Sequence, residues 1–144
     1  EPIGRLRDVL LRVTNGAPQA DEWGMALVET GFCRVNAPAS YASAGSFKGE
    51  TVHAVAGIGN PARFFAHLRR LGIEIIKHPF PDHHRYVPGD IRFQDNRPVI
   101  MTQKDAVKCE RFAGDHVWFL AVEARPDPHI GEVVWQRLKE KLRG

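Results

Sequence analysis

Residues 51–72 read TVHAVAGIGNPARFFAHLRRLG, and the punctuation of this stretch decides the fold class. Thr51 to Ala56 is a short apolar run that predicts a strand. Gly57 ends it. Asn60 is a favourable helix N-cap, and Pro61 suits the first helical position, where its missing N–H leaves no bond unmade. Between Pro61 and Leu71 the side chains of Phe64, Phe65, Leu68 and Leu71 share one helical face, with Arg63, Arg69 and Arg70 placed elsewhere. Gly72 stops the helix. A strand, a tight two-glycine turn and an amphipathic helix in immediate succession are the opening of a strand–helix–strand unit.

Downstream the alternation continues. Ile73 to Ile76, Pro98 to Thr102 and His116 to Val122 read as further short strands. Asp105 to Phe112 reads as a short helix, and Pro128 to Leu142 as a longer one with Ile130, Val133, Val134, Leu138 and Leu142 on its apolar face. Short apolar strands alternating with helices predict an α/β fold, a Rossmann-like three-layer sandwich with a mainly parallel sheet covered on both faces. Trp118, Phe119 and Trp135 are expected in the core.

Upstream the pattern is less regular. Asp8 to Val13 predicts a strand, followed by a turn at Thr14-Asn15-Gly16 and a loop over residues 17–22. Met25 to Glu29 and Phe32 to Val35 predict a β-hairpin turning at Thr30-Gly31. Ala37 to Gly49, rich in Ala, Ser and Gly, reads as a linker or mobile loop. The expected division is residues 1–22, then a hairpin and loop over 23–49, then an α/β body over 50–144.

The 144 residues are 43% hydrophobic and 26% charged, with a formal net charge of +3, a composition that suits a globular domain able to bury a core. No apolar run approaches the roughly 18 residues of a membrane span, and no secretory signal is expected from these residues. The first residues, Glu1-Pro2, suggest a fragment or a processed product. Basic residues are scattered apart from Arg69-Arg70 and the tail Arg137, Lys139, Lys141 and Arg143. That distribution argues for solvated helical faces rather than a nucleic-acid stripe, and it is compatible with anionic lipid or nucleotide phosphates. Cys33 and Cys109 form no CxxC pair and fit a reducing cytoplasm.

In open parallel sheets ligands bind beyond the carboxyl ends of the strands. That rule brings three loops to one rim: Gly57 to Asn60, Pro79 to Tyr86, and Thr102 to Asp105. In the first, two glycines and a helix N-terminus allow close approach of an anion, or make only a tight turn. It is neither a P-loop nor a complete GxGxxG. In the second, Asp82-His83-His84 places a carboxylate beside two imidazoles, a pattern for proton transfer, for metal ligation, or for a capped loop with surface histidines. In the third, Lys104 meets a phosphate or is solvated, and Asp105 is expected as the N-cap of the next helix. His53 and His78 are expected to be structural.

Three segments then carry a family resemblance. AGIGNP at 56–61, with Arg63-Phe64-Phe65 and Leu71-Gly72, resembles the AGIGNPxRFFxxLxxLG stretch of the lipid A 4'-kinases (tetraacyldisaccharide 4'-kinases). FPDHHRY at 80–86 resembles their FPDHHxY, and MTQKDAVKC at 101–109 their MTEKDAVKC. The order and spacing of these segments over residues 51–123 make the likeness specific. Glu1-Pro2, Arg5-Leu6 and Asp8 to Gly16 resemble the end of the family's N-terminal half.

The resemblance implies a kinase of two α/β lobes joined by a small β linker. Its substrates are ATP, with Mg²⁺, and the 4'-hydroxyl of the tetraacyldisaccharide 1-phosphate precursor of lipid A. It implies work at the cytoplasmic face of the bacterial inner membrane, reached through the N-terminal part, and no nucleic-acid partner. Residues 1–22 would close the N-terminal lobe, 23–49 form the linker and 50–144 the C-terminal lobe. The P-loop and the aspartate base belong to the other lobe, so the chain alone is expected to be inactive. By position His83 assists that base, with Asp82 beside it. Gly57, Gly59, Asn60, Thr102 and Lys104 are the expected nucleotide contacts, and Glu1 falls where the family has an acidic residue linked to magnesium. Gln103 stands where Glu is usual, which removes an acidic role there. Two other readings compete: a metal-dependent phosphohydrolase using Asp82, His83 and His84, and a non-catalytic nucleotide-binding Rossmann-like domain.

Overall fold

A computed structural model describes residues 12–15 and 22–143. Its elements run β1 (Arg12–Asn15), β2 (Glu22–Arg34), β3 (Tyr41–Ala42), β4 (Thr51–Ala56), α1 (Pro61–Arg70), β5 (Glu74–Pro79), a 3-10 turn at Pro88–Ile91, β6 (Val99–Thr102), α2 (Gln103–Cys109), β7 (Val117–Pro126) and α3 (Ile130–Arg143). The expected strand over Asp8 to Val13 lies partly outside the described residues, as does most of the expected loop over 17–22. Thr14 and Asn15, expected in a turn, are strand residues. Two compact units form. The larger spans Glu29–Val122; the smaller takes the described residues up to Val28 and those from Glu123 onward.

In the larger unit the strands lie in the order β2-β7-β6-β4-β5, with β3 also on β2. β4 is parallel to β5 and to β6, and β6 is parallel to β7. β3 is antiparallel to β2, with Phe32 opposite Ala42 and Cys33 opposite Tyr41. The architecture is therefore a mixed α/β sheet. Strand periodicity sends alternate β4 residues to opposite faces. Val52, Ala54 and Ala56 pack with Phe64, Phe65 and Leu68 of α1 and with Phe47 and Ile100. Val55 packs on the other side with Val99, Met101, Tyr86 and Ile91, and with Ala106 and Cys109 of α2. Both faces are covered, which is why β4 reads as a nearly unbroken apolar run.

The chain leaves β4 through α1, on the first of these faces, to reach β5. It then returns past β4 through residues 80–98, whose Phe80, Tyr86, Ile91 and Phe93 belong to the second cluster. The direction of travel reverses at β4. Its carboxyl end, Gly57 to Asn60, is thus a topological switch point, where such sheets leave a crevice.

α1 ends as the sequence predicts. Gly72 has φ 79°; its N–H donates to Arg69 O (2.9 Å) and that of Ile73 to Leu68 O (3.2 Å). This is the paired Schellman arrangement that requires a left-handed residue.

Three expectations are corrected. β2 runs unbroken through Thr30-Gly31, so there is no hairpin turn there. Gly31 serves close approach instead: a Cβ on it would lie 2.6 Å from the Tyr41 ring and from Ala42 O. The Tyr41 hydroxyl donates to Thr30 O across that gap. The antiparallel pairing joins β2 to β3 rather than two halves of β2. Second, residues 37–49 are not a loose linker. Phe47 is buried and meets Phe32 and Trp118 edge-on at 5.0 and 5.5 Å. Third, Trp135 is not core. In the smaller unit it lies on α3 with 59% exposure, and Lys139 Nζ sits 5.1 Å from its ring centroid. Trp118 and Phe119 are partly buried against the two clusters. In the smaller unit β1 is parallel to the start of β2, from Arg12 opposite Glu22 to Asn15 opposite Met25.

Candidate functional site

The three loops predicted for one rim do meet, and a buried carboxylate bonds two of them together. Asp105 is 0% exposed. Its Oδ2 accepts from Gly57 N (2.9 Å) and from Thr102 Oγ1 (2.7 Å). Thr102 Oγ1 in turn accepts from Asp105 N (3.1 Å), so Thr102, not Asp105, is the N-cap of α2. The hydroxyl can do both because it is donor and acceptor at once. Asp105, one turn in, is freed to reach the loop after β4. Gly57 is needed beside it. A Cβ there would stand 2.6 Å from the Tyr86 hydroxyl and 3.3 Å from Asp105 Oδ1 and Pro81 O. Burial first, and the Asp105 charge second, push the Tyr86 phenol upward from its ordinary pKa, so it stays protonated. The same two causes push the Cys109 thiol up to about 12, which makes it inert at neutral pH.

The exposed edge of the rim is built by residues 81–84, closed by a turn from His84 N to Pro81 O (3.1 Å). Asp82 Oδ1 accepts from His83 N (3.0 Å) and from Lys104 Nζ (3.3 Å). Its Oδ2 lies 3.5 Å from His83 Nε2. The Lys104 ammonium first, helped by His83, holds the Asp82 carboxyl below the usual carboxylate range, against the opposing effect of desolvation. Gly59 adjoins it, its Cβ position 3.9 Å from Asp82 Oδ2. His83 has φ 61°, a left-handed backbone unusual for a residue with a side chain, and its side chain is 82% exposed.

His84 faces the other way. Its Nε2 is 2.9 Å from Asp90 Oδ2, which also accepts from Val87 N (3.0 Å). Its ring stacks on Phe80 at 4.4 Å and meets Tyr86 edge-on at 4.8 Å. Bonding to Val87 N–H, then to His84, holds the Asp90 carboxyl low. Asp82, His83 and His84 therefore do not converge on one point. Among the described residues no group of three or more His, Cys, Asp or Glu is placed to hold a metal. Glu1 lies outside the described residues.

The remaining expected contacts already have protein partners. Gly57 N–H and the Thr102 hydroxyl both serve Asp105. Asn60 Oδ1 caps α1 by accepting from Arg63 N (3.4 Å). Gln103 Oε1 accepts from Val122 N (3.1 Å), a structural use of the position. Sequence reasoning missed that Asp105 bonds the loop after β4 and that Tyr86 is buried beside it. The available signal was a glycine at 57 that admits no side chain, and a Thr three residues before an Asp at a helix start.

A family model described as tetraacyldisaccharide-1-P 4'-kinase matches residues 1–139. The chain belongs to this family. The tetraacyldisaccharide 4'-kinase of Alkalilimnicola ehrlichii is 55% identical over 92% of the chain and 40% of its own length. That of Methylobacillus flagellatus is 44% identical over 96% of the chain and 42% of its own length. Among solved structures, LpxK of Aquifex aeolicus, crystallised with ATP, superposes with a TM-score of 0.66 over 95% of this chain and 45% of that one. At 18% identity the superposition shows the fold alone. The chain spans about 40% of the length of the curated tetraacyldisaccharide 4'-kinases it matches.

Proposed function

We propose that this chain is the C-terminal portion of an ATP-dependent kinase that phosphorylates the 4'-hydroxyl of the tetraacyldisaccharide 1-phosphate precursor of lipid A. It would act at the cytoplasmic face of the bacterial inner membrane. The observation that carries the reading is the Asp82-His83 pair, presented at the sheet's switch point within a chain of this family. The Rossmann-like description of the larger unit belongs to the same proposal. So does the partition into the end of one lobe (1–22), a linker (23–49) and a second lobe (50–144).

ATP, when bound, supplies the phosphoryl group; the rest concerns what this chain's own residues do. Asp82 lies 3.5 Å from His83 Nε2, which favours a proton on that nitrogen and the lone pair on Nδ1. An imidazole so held is suited to assist a carboxylate base brought from elsewhere in the longer protein, sharing the proton taken from the sugar hydroxyl. Lys104 favours the ionised form of Asp82 and pins its carboxylate by a hydrogen bond. The supply of free phosphate donors here is thin, because Gly57 N–H and the Thr102 hydroxyl are engaged. Gly59, Asn60 and Lys104 therefore contribute proximity to a nucleotide rather than its main hold. The described residues offer no Mg²⁺ ligand set, and no step is routed through that ion. The phosphohydrolase alternative lacks the same ligand set, since His84 is committed to Asp90.

The sequence contains no GxxxxGK[ST] motif, whose amides and Lys cradle phosphates in P-loop enzymes. The test is a phosphorylation assay with ATP and tetraacyldisaccharide 1-phosphate. The full-length protein is expected to form the 4'-phosphorylated product and the 144-residue chain alone to form none. Product from the chain alone, or none from the full-length protein, defeats the reading.

A further inference from the structure

We infer that Asp105 is a positioning residue: from beneath the rim it ties the loops after β4, β5 and β6 together and so sets where Gly59, Asp82 and His83 stand. The inference rests on the proposal that this rim is the reactive edge, and it names the residues that hold the edge in place.

A carboxylate that merely capped α2 would sit at the N-cap, exposed, and accept from its own helix. Asp105 does neither. The cap is Thr102. Asp105 is fully buried, and its Oδ2 accepts from Gly57, in a different loop, and from the Thr102 hydroxyl. Burying a charge is costly unless it is bonded, and Lys108 Nζ at 3.7 Å from Oδ1 offsets only part of that cost.

The third loop joins through Tyr86. Its hydroxyl and Asp105 Oδ1 are both buried, and neither has a hydrogen-bond partner among the described residues. Each is what the other lacks, a donor beside an acceptor, and both lie within 3.3 Å of the point a Gly57 Cβ would occupy. Burial and the Asp105 charge keep the phenol protonated, hence able to donate. Tyr86 closes the segment that carries Asp82 and His83. Lys108 adds a second tie by donating to His84 O (3.4 Å). One buried side chain thus fixes Gly57 directly, α2 through its cap, and the 80–86 segment through Tyr86 and Lys108.

The test uses the full-length protein with Asp105→Asn, Asp105→Ala and Tyr86→Phe, read by amide hydrogen exchange and by steady-state kinetics. Exchange is expected to quicken at 57–60 and 80–86 in the Asp105 variants while β4 and the body of α1 stay protected. kcat should fall about 10-fold or more, within the roughly 10² that 1 Å of misplacement costs, with KM changed less than about twofold. Asp105→Asn, which keeps an acceptor for Gly57 and Thr102, should retain more activity than Asp105→Ala. Tyr86→Phe, which is nearly isosteric, should loosen 80–86 alone. Unchanged exchange at both loops in Asp105→Asn and Tyr86→Phe overturns the inference, and so does uniform loosening of the whole unit. If the wild-type protein transfers no phosphate, the kinase reading fails by itself, and the exchange pattern still decides the role of Asp105.

Discussion

The Asp82-His83 pair on the rim and the His78–His53–Asp95 chain in the sheet are built from the same two chemical groups, yet they are opposites. His53 is 6% exposed. Its Nδ1 is 2.9 Å from His78 Nε2, its Nε2 is 2.8 Å from Asp95 Oδ1, and its ring stacks on Phe93 at 3.8 Å. Arg97 Nη1, 3.0 Å from Asp95 Oδ2, closes the chain. Every polar atom of the His53 ring is spoken for. His83 lies 3.5 Å from Asp82 Oδ2 through its Nε2, and its side chain is 82% exposed. A carboxylate next to an imidazole is therefore no sign of a site by itself. What distinguishes the rim is an imidazole exposed to solvent on a left-handed backbone.

That difference is open to attack, and the largest expected effect falls on the satisfied histidine. His53→Ala removes a packed ring and leaves Asp95 and His78 without their partner. Denaturant unfolding should show a loss of roughly 2–5 kcal/mol, while kcat per folded molecule of the full-length protein stays near wild type. A fall in kcat without loss of stability would erase the distinction.

Gly57→Ala should come next, at about 1–3 kcal/mol, because its Cβ would press on the Tyr86 hydroxyl at 2.6 Å. Tyr86→Phe in the same protein should recover part of that loss by removing the pressed atom. If the double variant is no more stable than Gly57→Ala alone, the contact does not limit the site.

His83→Gly should raise stability, by up to about 1 kcal/mol. A left-handed backbone costs a side-chain-bearing residue about 1–2 kcal/mol, and glycine gives part of the relief back as unfolded-state entropy. The variant should nevertheless lose activity, the exchange of stability for function expected at strained sites. A destabilised His83→Gly would mean that the ring is anchored after all.

The smallest effect is a pH slope. Burial first, and His53 second, hold His78 below its ordinary pKa of 6.5. The native state then binds fewer protons than the unfolded chain, so stability should fall as pH drops from about 6.5 through the folded value. Asp95, held low chiefly by its bond to His53, keeps its charge across that window. His78→Gln should flatten the slope; a slope unchanged by it would move the cause elsewhere.

What the sequence made legible was local. Asn60, Pro61 and Gly72 bracket α1 because caps depend on neighbouring backbone alone, and β4 ends where Gly57 begins. The meeting of the three loops followed from a topology rule that needs only strands running parallel. What stayed hidden depends on partners distant in sequence. Gly31 reads as a turn until Tyr41 is seen lying over it. Phe47 reads as linker until Phe32 and Trp118 surround it. Asp105 reads as a cap until its Oδ2 is found accepting from Gly57 N–H and the Thr102 hydroxyl, and Trp135 fits a core pattern although α3 leaves it exposed. Nothing in the triplet Asp82-His83-His84 told the two histidines apart, since the Asp90 that claims His84 comes from the following turn.

On the proposed reading, His83 is the acting group of this rim and His84 part of its frame. The most direct measurement is steady-state phosphoryl transfer by the full-length protein carrying His83→Ala or His84→Ala, with the melting temperature of each. For His83→Ala, kcat is expected to fall about 10²-fold, at the lower end for positioned acid–base groups, with KM changed little and no loss of stability. For His84→Ala, a lower melting temperature and at most a few-fold change in kcat are expected. Equal, small kinetic effects of the two substitutions would contradict that reading.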